Sequence, residues 1–234
     1  MLKTYFTPKK KDLVQYTLTI VIISLLFTPL YLFYPHLEAA FTNEGMFMEA
    51  LAVFLYAYCT LKAGKIAFIA NNAYTRGVGV LLFAFSLLWL LEETSFGHNI
   101  IYRYDRPEIY GTKVDTVHDL LHVLKHLITT QPTSLVTILS LVCIITIIAS
   151  IVWLSMKNKA TSYKFLASSS ALFLIITITL LLIAGLIDLD LFEKNTGARF
   201  FVFCEELLEL AAAISMVFAV RIFYKERFDV IEKK

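Results

Sequence analysis

Charge is what this sequence has least of. Only 17% of its 234 residues are Asp, Glu, Lys or Arg, while 58% are hydrophobic and the mean hydropathy is +0.71. Soluble domains carry roughly 25% charged residues, so a soluble globule of this size has no means of hiding the apolar surplus. The formal net charge is +2 and no run of Lys and Arg is long enough to follow a phosphate backbone, which argues against a nucleic-acid partner. Cysteine is also scarce. Cys59, Cys143 and Cys204 all lie inside apolar runs without CxxC spacing, so they read as small packing residues and not as a disulfide or zinc set. Of eight glycines only Gly77, Gly79 and Gly185 fall in or at the ends of the apolar runs, and no internal repeat is visible, so the broken helices of many transporters are not advertised. No small-residue cleavage site follows the first apolar run, and MLKTYFTPKKKD is expected to flank a retained first helix.

What the chain has instead is apolar runs of about 20 residues, the length that crosses a hydrocarbon core as a helix. They fall near 14–34, 46–61, 77–96, 134–156, 165–187 and 200–223. The expected fold is therefore all-α: a polytopic membrane protein, a single transmembrane domain over 1–234, with a bundle of six helices and no separate soluble domain. Six of the 21 Lys and Arg (Arg103, Arg106, Lys113, Lys125, Lys194 and Arg199) lie between the first and second, third and fourth, and fifth and sixth spans. The others lie at the termini and in the two remaining loops, which by the positive-inside rule puts both termini in the cytoplasm, as an even number of spans requires. Aromatic residues such as Tyr31, Tyr34, Tyr102, Trp153 and Tyr224 cluster near span ends, where amphipathic rings favour the headgroup zone. Ala211, Ser215 and Ala219 give the sixth span a small-residue face for close approach to a neighbour.

The long loop 97–133 contains a second pattern. At about 100° per residue, Asp115, His118, Asp119, His122 and His126 share one arc, with Val117, Leu120, Leu121, Leu124 and Ile128 opposite. An amphipathic helix near 115–128, lying in the outer interface, is expected.

The acids carry the most information. Glu44 and Glu49 open the second span, Glu92 and Glu93 close the third, and Glu205, Glu206 and Glu209 sit about two turns into the sixth. Because alternate spans run in opposite directions, all of these fall toward the outer side. A charged side chain near a helix centre costs about 2.5–3.5 kcal/mol on the insertion scale. Three in one span must face inward and be compensated, by shared protons, by histidinium or by a bound cation. His118 and His122 are four apart and present two imidazoles to one ion, with Asp115 and Asp119 placed to hold the ring N–H groups. Together with Glu49, Glu205, Glu206 and Glu209 they form a candidate divalent-metal ligand set, zinc being the expected ion.

The stretch LEETSFGHNIIYRYDRPEIYG, followed by VHDLLH, resembles the Glu-Glu-x-Ser-Trp-Gly-Gln segment and later His-Asn of an uncharacterised family of bacterial multi-pass membrane proteins. Phe96, His98 and Asp119 stand where that family has Trp, Gln and Asn. The resemblance groups Glu92, Glu93, Ser95, Gly97 and His118 as a unit and implies a bacterial cytoplasmic membrane. A fainter similarity, to membrane hydrolases of the alkaline ceramidase type, implies an intramembrane zinc held by histidines and acids. This chain departs from that type in having six expected spans, not seven, and its paired histidines in a loop.

Three functions are open at this point. The first is a metal-dependent membrane hydrolase acting on a lipid or lipid-linked substrate, with His118, His122 and Glu205, Glu206, Glu209 or Glu49 on the metal. In it Glu92 or Glu93 is the general base, and Arg103, Arg106, Ser95 and His98 meet the substrate. The second is a proton- or cation-coupled transporter or channel in which the acids bind and release the ion. The third is a non-enzymatic subunit that docks on a membrane-protein partner or on a second copy of itself, the acid and histidine groups joining helices.

Overall fold

The computed structural model describes residues 10–33, 47–94, 108–109, 112–113, 168–188 and 198–228, together with Val123, His126, Leu127, Thr129, Thr130 and Leu166 singly. Five long helices account for nearly all of this: α1 (Lys10–Phe33), α2 (Phe47–Ile69), α3 (Ala73–Glu93), α4 (Ser169–Asp188) and α5 (Ala198–Phe223), the last running into a π-helical turn, Tyr224–Phe228. Each is long and apolar enough to cross a membrane, the make-up of a multi-pass integral membrane protein. The only strands among the described residues are Glu108–Ile109 and Thr112–Lys113, paired antiparallel with Glu108 opposite Lys113. The span expected at 134–156 lies outside the described residues. Of the amphipathic helix expected near 115–128, only Val123, His126 and Leu127 are described; all three are helical, Val123 and Leu127 buried and His126 exposed.

Two helix boundaries differ from hydropathy, for local reasons. Lys62 and Lys65, expected in a loop, are carried inside α2, because the ring of Tyr224 receives both: their Nζ atoms lie 4.7 and 5.7 Å from its centre, and Lys65 Nζ donates to the Tyr224 hydroxyl at 3.1 Å. Long aliphatic stems let such lysines stay in the helix while the ammonium reaches polar company. The next helix starts early, at Ala73, because Asn72 caps it, Oδ1 accepting from Thr75 N at 2.7 Å. It stops at Glu93 on Thr94, whose N–H donates back to Leu90 O at 3.2 Å.

α5 is the axis of the bundle, packing on α4, α2 and α1, while α3 lies along α2. The small residues expected to allow close approach do so. Ala211, Ser215 and Ala219 are buried, Ser215 Oγ donates to Phe173 O at 2.8 Å, and Ser170 Oγ donates to Ala219 O at 2.7 Å, so hydroxyls stitch α4 to α5 across the closest contact. The Tyr16 ring meets Phe173 and Phe218 edge-on at 5.3 and 5.6 Å, which ties α1 to the same core. At the other end of α1, Tyr31 stacks on Phe203 at 4.4 Å and Phe27 meets Phe47 at 5.9 Å. α2 and α3 also approach closely, because Gly64 and Gly79 face the partner helix with no Cβ; one built on Gly79 falls 2.7 Å from Ala67 N.

Candidate functional site

The direction of each helix sorts the charges. α2 and α5 both start at the end where α3 stops, so Glu49, Glu92, Glu93, Glu205, Glu206 and Glu209 gather at one end of the bundle. Lys11, Lys62, Lys65, Arg76, Arg221 and Lys225 lie at the other. There the Arg76 side chain folds back to donate from Nε to Ala70 O at 3.1 Å. Hydropathy alone could predict that the acids share a side; it could not predict that they meet.

They do meet. Glu93 stands within electrostatic reach of Glu206, Glu49 and Glu92, and Glu209 within reach of Glu93, Glu206, Glu205 and Glu92. Three helices thus contribute to one chain of neighbours, in which Glu92 and Glu206 are within reach of both Glu93 and Glu209, Glu49 of Glu93 and Glu205 of Glu209. Glu92 and Glu93 are buried at 8% and 9% exposure, and Glu49, Glu205, Glu206 and Glu209 are half-buried. Below them the walls are apolar, formed by the core around Tyr56, Leu82, Met216 and Val220. At about 1.5 Å per residue Glu209 lies on the order of 16 Å along α5 from Ala198, deep enough that an ionised carboxylate there needs company.

Tyr56 was not singled out by sequence. It follows Glu49 by seven residues, two helical turns, so both side chains leave the same face of α2 and Tyr56 lies about 10 Å deeper. Its ring is fully buried, at 0% exposure, and its hydroxyl has no hydrogen-bond partner among the described residues. That hydroxyl is within electrostatic reach of Glu93 and Glu209, and of Cys59 one turn further along. Buried hydroxyls are nearly always satisfied, and leaving one open costs about 1–3 kcal/mol. Here the open phenol stands within reach of carboxyls from α3 and α5, so it belongs to the same polar group. The sequence signal was the i, i+7 spacing from Glu49, hidden because an aromatic in mid-span ordinarily reads as packing.

The glutamates do not make a metal site by themselves. Among the described residues no group of three or more His, Cys, Asp or Glu is arranged to hold a metal ion. The reason is geometric, for the six acids are spread over three helices and Glu205 and Glu206 leave α5 about 100° apart. The rest of the expected ligand set, His118 and His122, lies outside the described residues, as do Ser95, His98, Arg103 and Arg106. Cys59 is a buried free thiol and Cys204 a half-buried one, in keeping with packing roles. No protein-family model, curated protein or solved structure matches the chain.

Proposed function

We propose that this protein works through its intramembrane glutamate group as a site where protons or a small cation are bound and released, the chemistry of a proton- or cation-coupled transporter or channel. One observation carries the reading: Glu93 and Glu209, from two helices, lie within electrostatic reach of each other and between them of four further glutamates, and both are within reach of an open buried phenol. So many carboxyls in a low-dielectric interior cannot all be ionised without positive charge among them. Protons and mobile cations are the currency such a site exchanges. Lys62, Lys65, Arg76, Arg221 and Lys225 at the opposite end favour that end as the cytoplasmic side by the positive-inside rule, which puts the acids toward the outer side in this reading.

A metal-dependent hydrolase acting on a lipid or lipid-linked substrate is the second reading, with zinc the expected ion. It is favoured by the way α3 delivers the chain from Glu92 and Glu93, through Thr94, directly into the segment bearing Ser95, His98, Arg103, Arg106, His118 and His122. That segment would supply the imidazoles that the glutamates need.

One preparation distinguishes the two. Protein reconstituted in liposomes is tested for proton or cation flux with Glu93→Gln and Glu209→Gln beside wild type, and the same detergent-purified protein is analysed for bound metal. Flux that both variants abolish, without stoichiometric metal, upholds the first reading. Stoichiometric zinc that His122→Ala removes, with no flux, replaces it by the second. Neither flux nor metal defeats both.

A further inference from the structure

The basic end of the bundle holds a cavity that the glutamate group does not involve. It lies between the start of α1 and the end of α5 and measures about 130 Å³, several times the roughly 10–15 Å³ that one water needs on this kind of measure. Lys11, Asp12 and Gln15 line it from α1, and Arg221, Lys225 and Glu226 from α5 and the π-turn. Phe218 and Ile222 form an apolar floor. Both helices reach their ends here, so in a bilayer centred on the apolar middle of the bundle the cavity sits at headgroup level.

The lining has both signs. Three cations and two carboxylates surround one small space, and a purely anionic guest would set its charge against Asp12 and Glu226. A guest with a phosphate and a primary ammonium satisfies both: the phosphate accepts from Arg221, Lys11 and Lys225, and the ammonium donates to Asp12 and Glu226. Each carboxylate accepts at about four lone-pair sites, so bonds to neighbouring protein groups leave room for this one. The helix surface next to the cavity extends the match. Val14, Leu18, Ile22 and Leu25 follow Lys11 at spacings of three and four along α1, and they are 47%, 54%, 60% and 68% exposed, an apolar stripe leading from the mouth toward the middle of the helix.

We propose that this cavity seats the headgroup of a zwitterionic aminophospholipid, its phosphate on Arg221, Lys11 and Lys225, its ammonium on Asp12 and Glu226, and its acyl chains along the α1 stripe. The ligand chemistry is phosphoethanolamine, and the stripe makes the lipid, not the free ester, its source.

The test is thermal unfolding of the delipidated full-length protein in detergent with added phosphatidylethanolamine, phosphatidylcholine, phosphatidylglycerol or soluble O-phosphoethanolamine. Phosphatidylethanolamine is expected to raise the melting temperature most, because phosphatidylcholine lacks N–H donors and phosphatidylglycerol lacks the ammonium. Arg221→Gln with Lys225→Gln should abolish that increment, and Asp12→Asn with Glu226→Gln should shift the preference to phosphatidylglycerol. Equal or greater stabilisation of wild type by phosphatidylglycerol or phosphatidylcholine overturns the proposal, and it needs no variant to fold. An effect of O-phosphoethanolamine without one from phosphatidylethanolamine overturns the lipid as the occupant.

Discussion

Gly79 is where α2 and α3 come closest, and adding one methyl there has a calculable effect. A Cβ at this position would lie 2.7 Å from Ala67 N, 2.7 Å from Ile66 Cγ2 and 3.0 Å from Ile66 C, against an ordinary contact of 3.4 Å or more. The Ile66 methyl can rotate aside, but the Ala67 nitrogen is helix backbone, so the two helices must part by about 0.7 Å to reach 3.4 Å. Overpacking of this kind costs about 1–3 kcal/mol, offset by the roughly 0.5–1 kcal/mol by which alanine is preferred to glycine inside a helix. Taking the middle of each range, Gly79→Ala should therefore lose on the order of 1 kcal/mol. Gly77, two residues earlier, supplies the control: nothing lies within 4 Å of its built Cβ, so Gly77→Ala keeps the propensity gain of about 0.5–1 kcal/mol without the clash. The assay is reversible denaturation in mixed micelles, with the two variants measured side by side. Gly79→Ala as stable as wild type, or Gly77→Ala the weaker of the two, would refute the packing described for this pair. The consequence reaches the site, since these two helices carry Glu49, Tyr56, Glu92 and Glu93.

Other outcomes follow from the same contacts. Tyr56→Phe removes a hydroxyl that has no hydrogen-bond partner among the described residues, so stability should hold or rise by up to about 1 kcal/mol, while ion flux in liposomes falls. A loss of stability with unchanged flux would make Tyr56 a packing residue. Ser215→Ala breaks the bond to Phe173 O, and should cost roughly 0.6 to 1.7 kcal/mol, from the average to the maximum found for hydrogen bonds between membrane helices, measured by denaturation with flux unaffected. Glu93→Gln keeps side-chain volume while removing one ionisable group from a crowded set. It is expected to abolish flux yet leave the melting temperature equal or higher, whereas a structural network would melt earlier.

Much of this was legible from sequence, and the exceptions have physical causes. The apolar runs marked the spans of α1 to α5 because nothing but a bilayer tolerates such stretches. Their ends were less legible: hydropathy falls at Lys62 and Lys65, yet α2 continues through them because Tyr224, far away in sequence, receives both ammonium groups. The acids' common side followed from alternating helix direction alone. Their meeting did not, because it depends on α5 packing against α2, with α3 alongside α2, and span order does not specify which helices are neighbours. Tyr56 was illegible for a related reason, since its ring packs like any other and only its open hydroxyl shows that something polar lies above it. The role of Ser215 was partly visible as a small residue; its hydrogen bond to Phe173 O needed α4 in place.

If the proposed exchange is right, Glu93 and Glu209 share one polar interior with the other acids and exchange their protons or cation there. A hydrophobic carbodiimide, which enters the bilayer and modifies protonated carboxyls, tests it most directly, with the labelled residue identified by mass spectrometry. Labelling should concentrate on Glu93 or Glu209, flux should be lost in proportion to label, and the rate at Glu93 should alter when Glu209 is changed to Gln. Labelling spread evenly over the six glutamates, or a rate at Glu93 indifferent to Glu209, would contradict it.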